Sequence, residues 1–134
     1  MTFLQWDTSH SVGISIVDKQ HNQIAEQINQ LYKLVGTNKH SQIVEILKEL
    51  NKLMDEHFST ENALMKEHKV FNYFSHKAQH DRLSRILDDN LDDIIENRKE
   101  LTPQYLILLR DWTINHLKFH DKPMADELKS KGVI

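Results

Sequence analysis

Cysteine is absent, and with it go disulfides, thiolate metal sites and thiol nucleophiles. Glycine occurs three times and proline twice in 134 residues, and so few breakers point to long helices. No apolar run approaches the roughly 20 residues of a membrane span. The net charge of −3 excludes a basic field that would recruit nucleic acid. The first ten residues carry Asp7 and no apolar run, so no signal peptide is expected and the cytoplasm is the expected location. The length suits one domain built around a single core. What the chain has in excess is histidine, nine in all.

Hydrophobic spacing divides the chain into an arm, four helices and a tail. Residues 1–17 lack helical period; Leu4, Trp6, Ile14, Ile16 and Val17 read as an extended arm packed on the rest. Asp18 is the expected N-cap of the first helix, whose stripe is His21, Ile24, Ile28, Leu31 and Val35, ended by Gly36. The second helix starts near Ser41 and carries Ile43, Ile46, Leu50, Leu53, His57, Glu61 and Leu64 on one face. A break over 69–75 holds Phe71, Tyr73 and Phe74, placed to wall off one end of the core. In the third helix His76 and His80 precede Leu83, Leu87, Leu91 and Ile94. Thr102-Pro103 caps and opens the fourth, with Tyr105, Leu108 or Leu109, Trp112 and His116 on its stripe, then Phe119 or His120. Pro123 is expected to end it, and 124–131 forms a short amphipathic tail. The expected fold is all-α, an up-down-up-down four-helix bundle with an extended N-terminal arm and a short C-terminal helical tail.

That topology gathers the polar residues of the stripes. His21 starts one helix, His57 and Glu61 end the next, His76 and His80 start the third, and His116 and Asp121 end the fourth. All seven fall at one end of the bundle. A lone histidine in a seam is usually a satisfied core residue, and a lone His/Glu pair is usually solvated. Five histidines and two carboxylates in one layer cannot satisfy one another as neutral donors and acceptors, and each unpaired buried group costs about 1–3 kcal/mol. A metal cluster resolves the conflict. Seven side chains exceed one tetrahedral site, so two metals are expected, with Glu61 and Asp121 shared because carboxylates bridge and imidazoles do not. Mixed imidazole and carboxylate ligands suit iron. The chain has no Glu-x-x-His of the ferritin-like type and no His-Glu-x-x-His. His10, His40 and His68 read as surface or loop residues.

The same residues resemble the hemerythrins, and most closely the single-domain bacterial kind. The likeness rests on Trp6, Asp18-Lys-Gln-His21, His57-Phe-x-x-Glu61, His76-x-x-x-His80, Trp112-x-x-x-His116 and Asp121-Lys122, nearly end to end. It implies that residues 1–134 are one hemerythrin-like domain holding two iron ions bridged by Glu61, Asp121 and a solvent-derived oxygen. His76, His80 and His116 would serve one iron, and His21 and His57 the other, leaving an open position. The implied function is reversible O2 binding for carriage, storage or sensing, without catalysis. The alternative is a di-iron enzyme acting on peroxide, O2 or nitric oxide at the same position. O2 or another small diatomic is the expected partner, with no nucleic acid and no membrane, and a monomer is the expected state.

Helix geometry by itself favours His120 over Asp121: the first lies about 40° around from His116 and the second about 140°. Pro123 disfavours helix at Lys122, which would let Asp121 swing inward where the helix unwinds, and the resemblance also selects Asp121. Phe58, Trp112 and Phe119 are placed to keep the ligand pocket small and dry. Thr113 stands one turn before His116, where the resembling family often has leucine. Its hydroxyl either bonds back to the Leu109 carbonyl or reaches the bound ligand.

Overall fold

The computed structural model describes residues 2–134, and among them there is no strand. The chain forms α1 (Ser15–Lys33), α2 (His40–Glu67), α3 (Tyr73–Ile95), α4 (Pro103–His116) and α5 (Lys122–Ser130). Helices α1 to α4 make the up-down-up-down bundle, with α2 packed between α1 and α3, and α4 against α1. None of the helices in the described residues is long and apolar enough to cross a membrane.

The arm does pack as its apolar residues require. Asn29 clamps it: the Leu4 N–H donates to Asn29 Oδ1 at 2.7 Å, and Asn29 Nδ2 donates to the Leu4 carbonyl at 2.9 Å. Leu4 is thereby buried, and Phe3 stacks on Tyr32. The arm ends sooner than its sequence suggests. A 3-10 turn, Thr8–His10, interrupts it, and α1 begins at Ser15, three residues before Asp18. Asp18 is therefore not the N-cap. Its carboxylate turns back and accepts from Val12 N at 2.8 Å, Gly13 N at 3.2 Å and Ser11 Oγ at 2.7 Å, holding the bend at Gly13 (φ +81°). Gly36 sits at φ +77°, just past the end of α1, as a helix-stopping glycine should.

Two apolar stripes are rotated from their expected lines. In α2 the buried apolar residues are Ile43, Leu47, Leu50, Met54, Phe58 and Met65, while Ile46, Leu53 and Leu64 are half-buried. The apolar face is wide enough for both lines, and the packing between α1 and α3 selects one. Ser41 does not cap α2, which opens at His40 without a side-chain cap. In α4 the buried line is Leu106, Leu109, Thr113 and His116; Leu108 is exposed, and Tyr105 and Trp112 are half-buried. The loop before α3 does not wall off the core with aromatics. Phe71 and Phe74 point outward, Tyr73 is half-buried, and α3 already begins at Tyr73.

The wall is built from other residues. A second apolar cluster joins Val12 and Ile14 of the arm, Val17 of α1, Met65 of α2, Val70 of the α2–α3 loop, and Leu117, Met124, Ala125 and Leu128. Each buried aliphatic side chain there contributes roughly 1.5–3 kcal/mol. The larger cluster, from Leu4 through Leu87 to Leu109, fills the bundle proper.

Pro123 does not end the helical path. Residues 117–121 form one π-helical turn, with the Lys122 N–H bonded to the Leu117 carbonyl five residues back, and α5 continues from it. The proline ring collides with the carbonyl four residues before it in a regular helix, and a widened turn relieves that clash. Lys122 keeps helical angles (φ −63°, ψ −49°), so the chain does not unwind there.

Candidate metal centre

The seven side chains expected at one end of the bundle meet in a single layer between the two apolar clusters. None is more than 4 % exposed. His21 comes from the second turn of α1, His57 and Glu61 from α2, His76 and His80 from α3, His116 from the end of α4, and Asp121 from the π turn. The wide turn explains the last. A turn closed by i→i+5 bonds holds more residues than the 3.6 of an α turn, so the fifth residue after His116 returns to the same side. Asp121 Oδ1 lies 3.1 Å from His116 Nε2, while His120 is half-buried and outside the cluster. Asp121 thus turns inward through over-wide winding rather than unwinding.

Donor atoms fall into two overlapping groups. Glu61, His76, His80, His116 and Asp121 form one; His21, His57, Glu61 and Asp121 form the other. Glu61 divides its oxygens between them. Oε1 lies 3.1 Å from His80 Nε2 and 3.4 Å from His76 Nε2, and Oε2 lies 3.3 Å from His57 Nε2. Asp121 does the same, with Oδ1 3.1 Å from His76 Nε2 and Oδ2 3.2 Å from His21 Nε2.

The tautomers show what these atoms require. Thr60 donates its hydroxyl to the Glu56 carbonyl, so it accepts from Gln20 Nε2; Gln20 Oε1 must then face His57 Nδ1, at 2.9 Å. Asn62 Oδ1 faces His80 Nδ1 at 3.0 Å, and Gln79 Oε1 faces His116 Nδ1 at 3.0 Å. An amide oxygen only accepts, so all three imidazoles donate from Nδ1 and keep a lone pair on Nε2. Those lone pairs point at other imidazole nitrogens: His80 to His116 at 3.1 Å, and His57 to His21 at 3.0 Å. Both oxygens of Glu61 are buried without a well-directed hydrogen bond. Converging lone pairs and two carboxylates leave a deficit of positive charge that cations would fill, so the residues fit a pair of metal ions.

The acid–base balance of the protein alone reports the same crowding. Burial opposes a charge on His76, but Asp121 and Glu61 outweigh it and hold its pKa at about 9. Burial opposes charge on His57 too, and Glu61 again raises it. His80 goes the other way: burial pushes it to about 4, and Glu61 only partly offsets this. Burial also works against Glu61 and Asp121. The surrounding imidazoles prevail, chiefly His57 for Glu61 and His116 for Asp121, and keep both carboxyls well below the ordinary range.

Aromatic rings brace the layer. Phe58 stacks on His80 with centroids 4.2 Å apart, Trp112 stacks on His116 at 4.4 Å, and Trp6 meets His21 edge-on at 5.6 Å. Phe119, expected to help line the pocket, is 61 % exposed and lies outside it. Thr113 is buried and its hydroxyl donates to the Leu109 carbonyl at 2.7 Å, which decides between its two readings. His10, in the 3-10 turn of the arm, is half-buried and stacked on Trp6; His40 is exposed and His68 is half-buried just past α2. Gln20, Asn62 and Gln79 were not singled out by spacing. Their signal was adjacency, since each amide directly neighbours a stripe residue: His21, Glu61 and His80.

A family profile described as Hemerythrin HHE cation binding domain matches residues 12–128. The bacteriohemerythrin of Methylococcus capsulatus is 28 % identical over 126 residues, covering 91 % of this chain and 94 % of the relative. That of Stenotrophomonas maltophilia is 25 % identical, covering 97 % and 84 %. Among solved structures, a wild-type hemerythrin superimposes with a TM-score of 0.90 at 25 % identity, covering 94 % of this chain and 98 % of the other. A hemerythrin variant with alanine in place of one leucine gives 0.91 at 26 % identity, covering 96 % and 98 %. The matched span runs from the N-terminal segment into α5 and contains all seven buried side chains of the layer, so the chain belongs to the hemerythrin family.

Proposed function

We propose that this chain is one hemerythrin-like domain that binds O2 reversibly at two iron ions, in the cytoplasm, as a carrier, store or sensor. His76, His80 and His116 would hold one iron, His21 and His57 the other, with Glu61, Asp121 and a solvent-derived oxygen as bridges. The observation that carries the reading is the division of Glu61 and Asp121, each presenting one oxygen to each histidine group. The iron pair would supply the electrons and the open coordination position that O2 needs. The protein supplies position and dryness. Gln20, Asn62 and Gln79 fix three imidazoles with Nε2 free to ligate. Phe58 and the half-buried Trp112 cover the layer on its bundle side. Three histidines against two leave one metal short of a ligand, where a diatomic would fit. Stopped-flow mixing of reduced, iron-loaded protein with O2 tests the reading. A reversible oxygenated spectrum supports it. Rapid oxidation with peroxide turnover would mean an enzyme, and no spectral change would mean a purely structural metal site.

Two substitutions bear on the parts. Replacing Gln79 with leucine leaves the His116 Nδ1–H without its acceptor and frees the ring to turn. Metal affinity, measured by competition with a chelator, should fall about 10- to 100-fold, and undiminished affinity would show that packing on Trp112 alone holds the ring. Thr113→Leu tests water access. With its hydroxyl engaged at Leu109, Thr113 cannot serve as proton donor, so its effect rests on size. The larger side chain should exclude water better and slow loss of the oxygenated band severalfold. An unchanged decay would mean that other residues seal the pocket.

A further inference from the structure

Exposed apolar rings gather at one corner of the molecule, outside the metal centre. Phe71 is 90 % exposed, Phe74 85 % and Phe119 61 %. Scattered exposed rings are ordinary, but these adjoin one another. Phe71 lines one cleft with Phe119, His120 and His76, and another with Phe74, Lys66 and Lys69. The rings therefore form a strip across the α2–α3 loop and the π turn. The first cleft, about 80 Å³, reaches His76, whose Nε2 is 3.1 Å from Asp121 Oδ1. One imidazole separates the strip from a bridging carboxylate.

The charge around the strip opposes that of the chain. Lys66, Lys69 and Lys118 are exposed and make no ion pair among the described residues; the Lys118 ammonium lies 5.3 Å from the Phe119 ring. Of the nearby carboxylates, Glu127 is engaged by the Phe71 N–H and by Lys131, and Glu67 faces His68. The net charge is nevertheless −3, and the run Asp88, Asp89, Asp92 and Asp93 lies in the far half of α3. An apolar centre with a lysine rim complements an acidic surface with an apolar centre.

We propose that this strip is the docking surface for an acidic one-electron donor protein that re-reduces the metal centre. The inference rests on the di-iron reading above. Its location favours a redox partner over other occupants, because the cleft between Phe71 and Phe119 is lined by His76. Each encounter passes one electron from the donor to the site. Two encounters return two ferric ions to ferrous, and the donor leaves each time oxidised by one electron.

The test uses iron-loaded, air-oxidised protein mixed anaerobically with reduced flavodoxin as the acidic probe, and separately with a reduced phenazine as a small neutral donor. Two double variants are compared with the native chain: Phe71→Ser with Phe74→Ser, and Lys66→Glu with Lys69→Glu. Reduction by flavodoxin should weaken with added salt and slow about 10-fold in both variants, while phenazine rates and iron content stay unchanged. Flavodoxin rates equal to native on fully loaded variants would overturn the docking surface alone. Slowing by the same factor with both donors would also overturn it, by showing a disturbed metal site. So would phenylalanine-dependent binding to anionic phospholipid vesicles, or self-association, with flavodoxin rates unaffected. Failure of the native chain to take up iron would remove both readings.

Discussion

Glu61→Ala should empty both metal positions at once. The Glu61 side chain is fully buried, and its two oxygens face different histidine groups, so no single-site loss is available to the variant. A terminal ligand offers a contrast. His21→Ala removes a donor from the two-histidine group only, and the three-histidine group keeps both carboxylates. Metal analysis after anaerobic loading should give about two irons per chain for the native protein and fewer than about 0.2 for Glu61→Ala. Retention of one iron in Glu61→Ala would mean that the two positions load independently and that His76, His80, His116 and Asp121 hold an iron without Glu61. Circular dichroism keeps the result interpretable, since the apolar seams away from the layer do not touch Glu61 and the variant should remain helical.

Removing the metal from the native chain should leave a folded but weaker bundle with an unusual pH profile. Metal held in the layer would link four helices, and binding energy adds to folding energy when the unfolded chain has no site. Loss of even about 3 kcal/mol would lower Tm by roughly 10 °C in a chain of this size. The larger apolar cluster, from Leu4 through Leu87 to Leu109, is independent of the metal and should preserve the helices. In the metal-free protein His76 has its pKa raised to about 9, so its stabilisation is complete below the ordinary 6.5 and is lost as pH rises through 9. His57, also raised, acts in the same direction. His80, lowered to about 4, has the opposite sign: its contribution is present above 6.5 and is lost as pH falls through 4. Glu61 and Asp121 lose theirs in stronger acid still. Apo Tm should therefore peak near pH 6.5. The gain on adding metal should grow from there toward pH 9, because metal displaces the proton His76 would otherwise keep. A flat apo profile, or a random-coil spectrum, would contradict this account.

Most of the seven buried side chains were legible because helical period alone places them. His21, His57, Glu61, His76, His80 and His116 continue apolar stripes at steps of three and four, which is a property of sequence. Asp121 was not legible that way. Ideal geometry chose His120, and the reason it fails, a turn closed by i→i+5 bonds, depends on how the backbone accommodates Pro123. The amides behind the histidines were hidden differently. Gln20, Asn62 and Gln79 lie off the stripes, on partly exposed positions where polar residues need no explanation, and only their partners across the bundle give them meaning. The outward turn of Phe71 and Phe74 went against their hydrophobicity. The wall they were expected to form comes instead from Val12, Val17 and Met124, segments far apart in the chain and brought together only by folding.

The π turn also makes chain length between His116 and Asp121 a quantity the protein must conserve. Five residues there keep two different things in phase: the carboxylate that faces His116, and the apolar face of α5 with Met124, Ala125 and Leu128. One residue more than the wide turn absorbs would rotate everything beyond it by about 100°. The Asp121 carboxylate and the apolar face of α5 would turn away together, though none of the seven buried side chains had been substituted. Along α4 and α5, then, spelling and spacing are separate messages, and a change that preserves every letter of the donor set could still erase the site by shifting its frame.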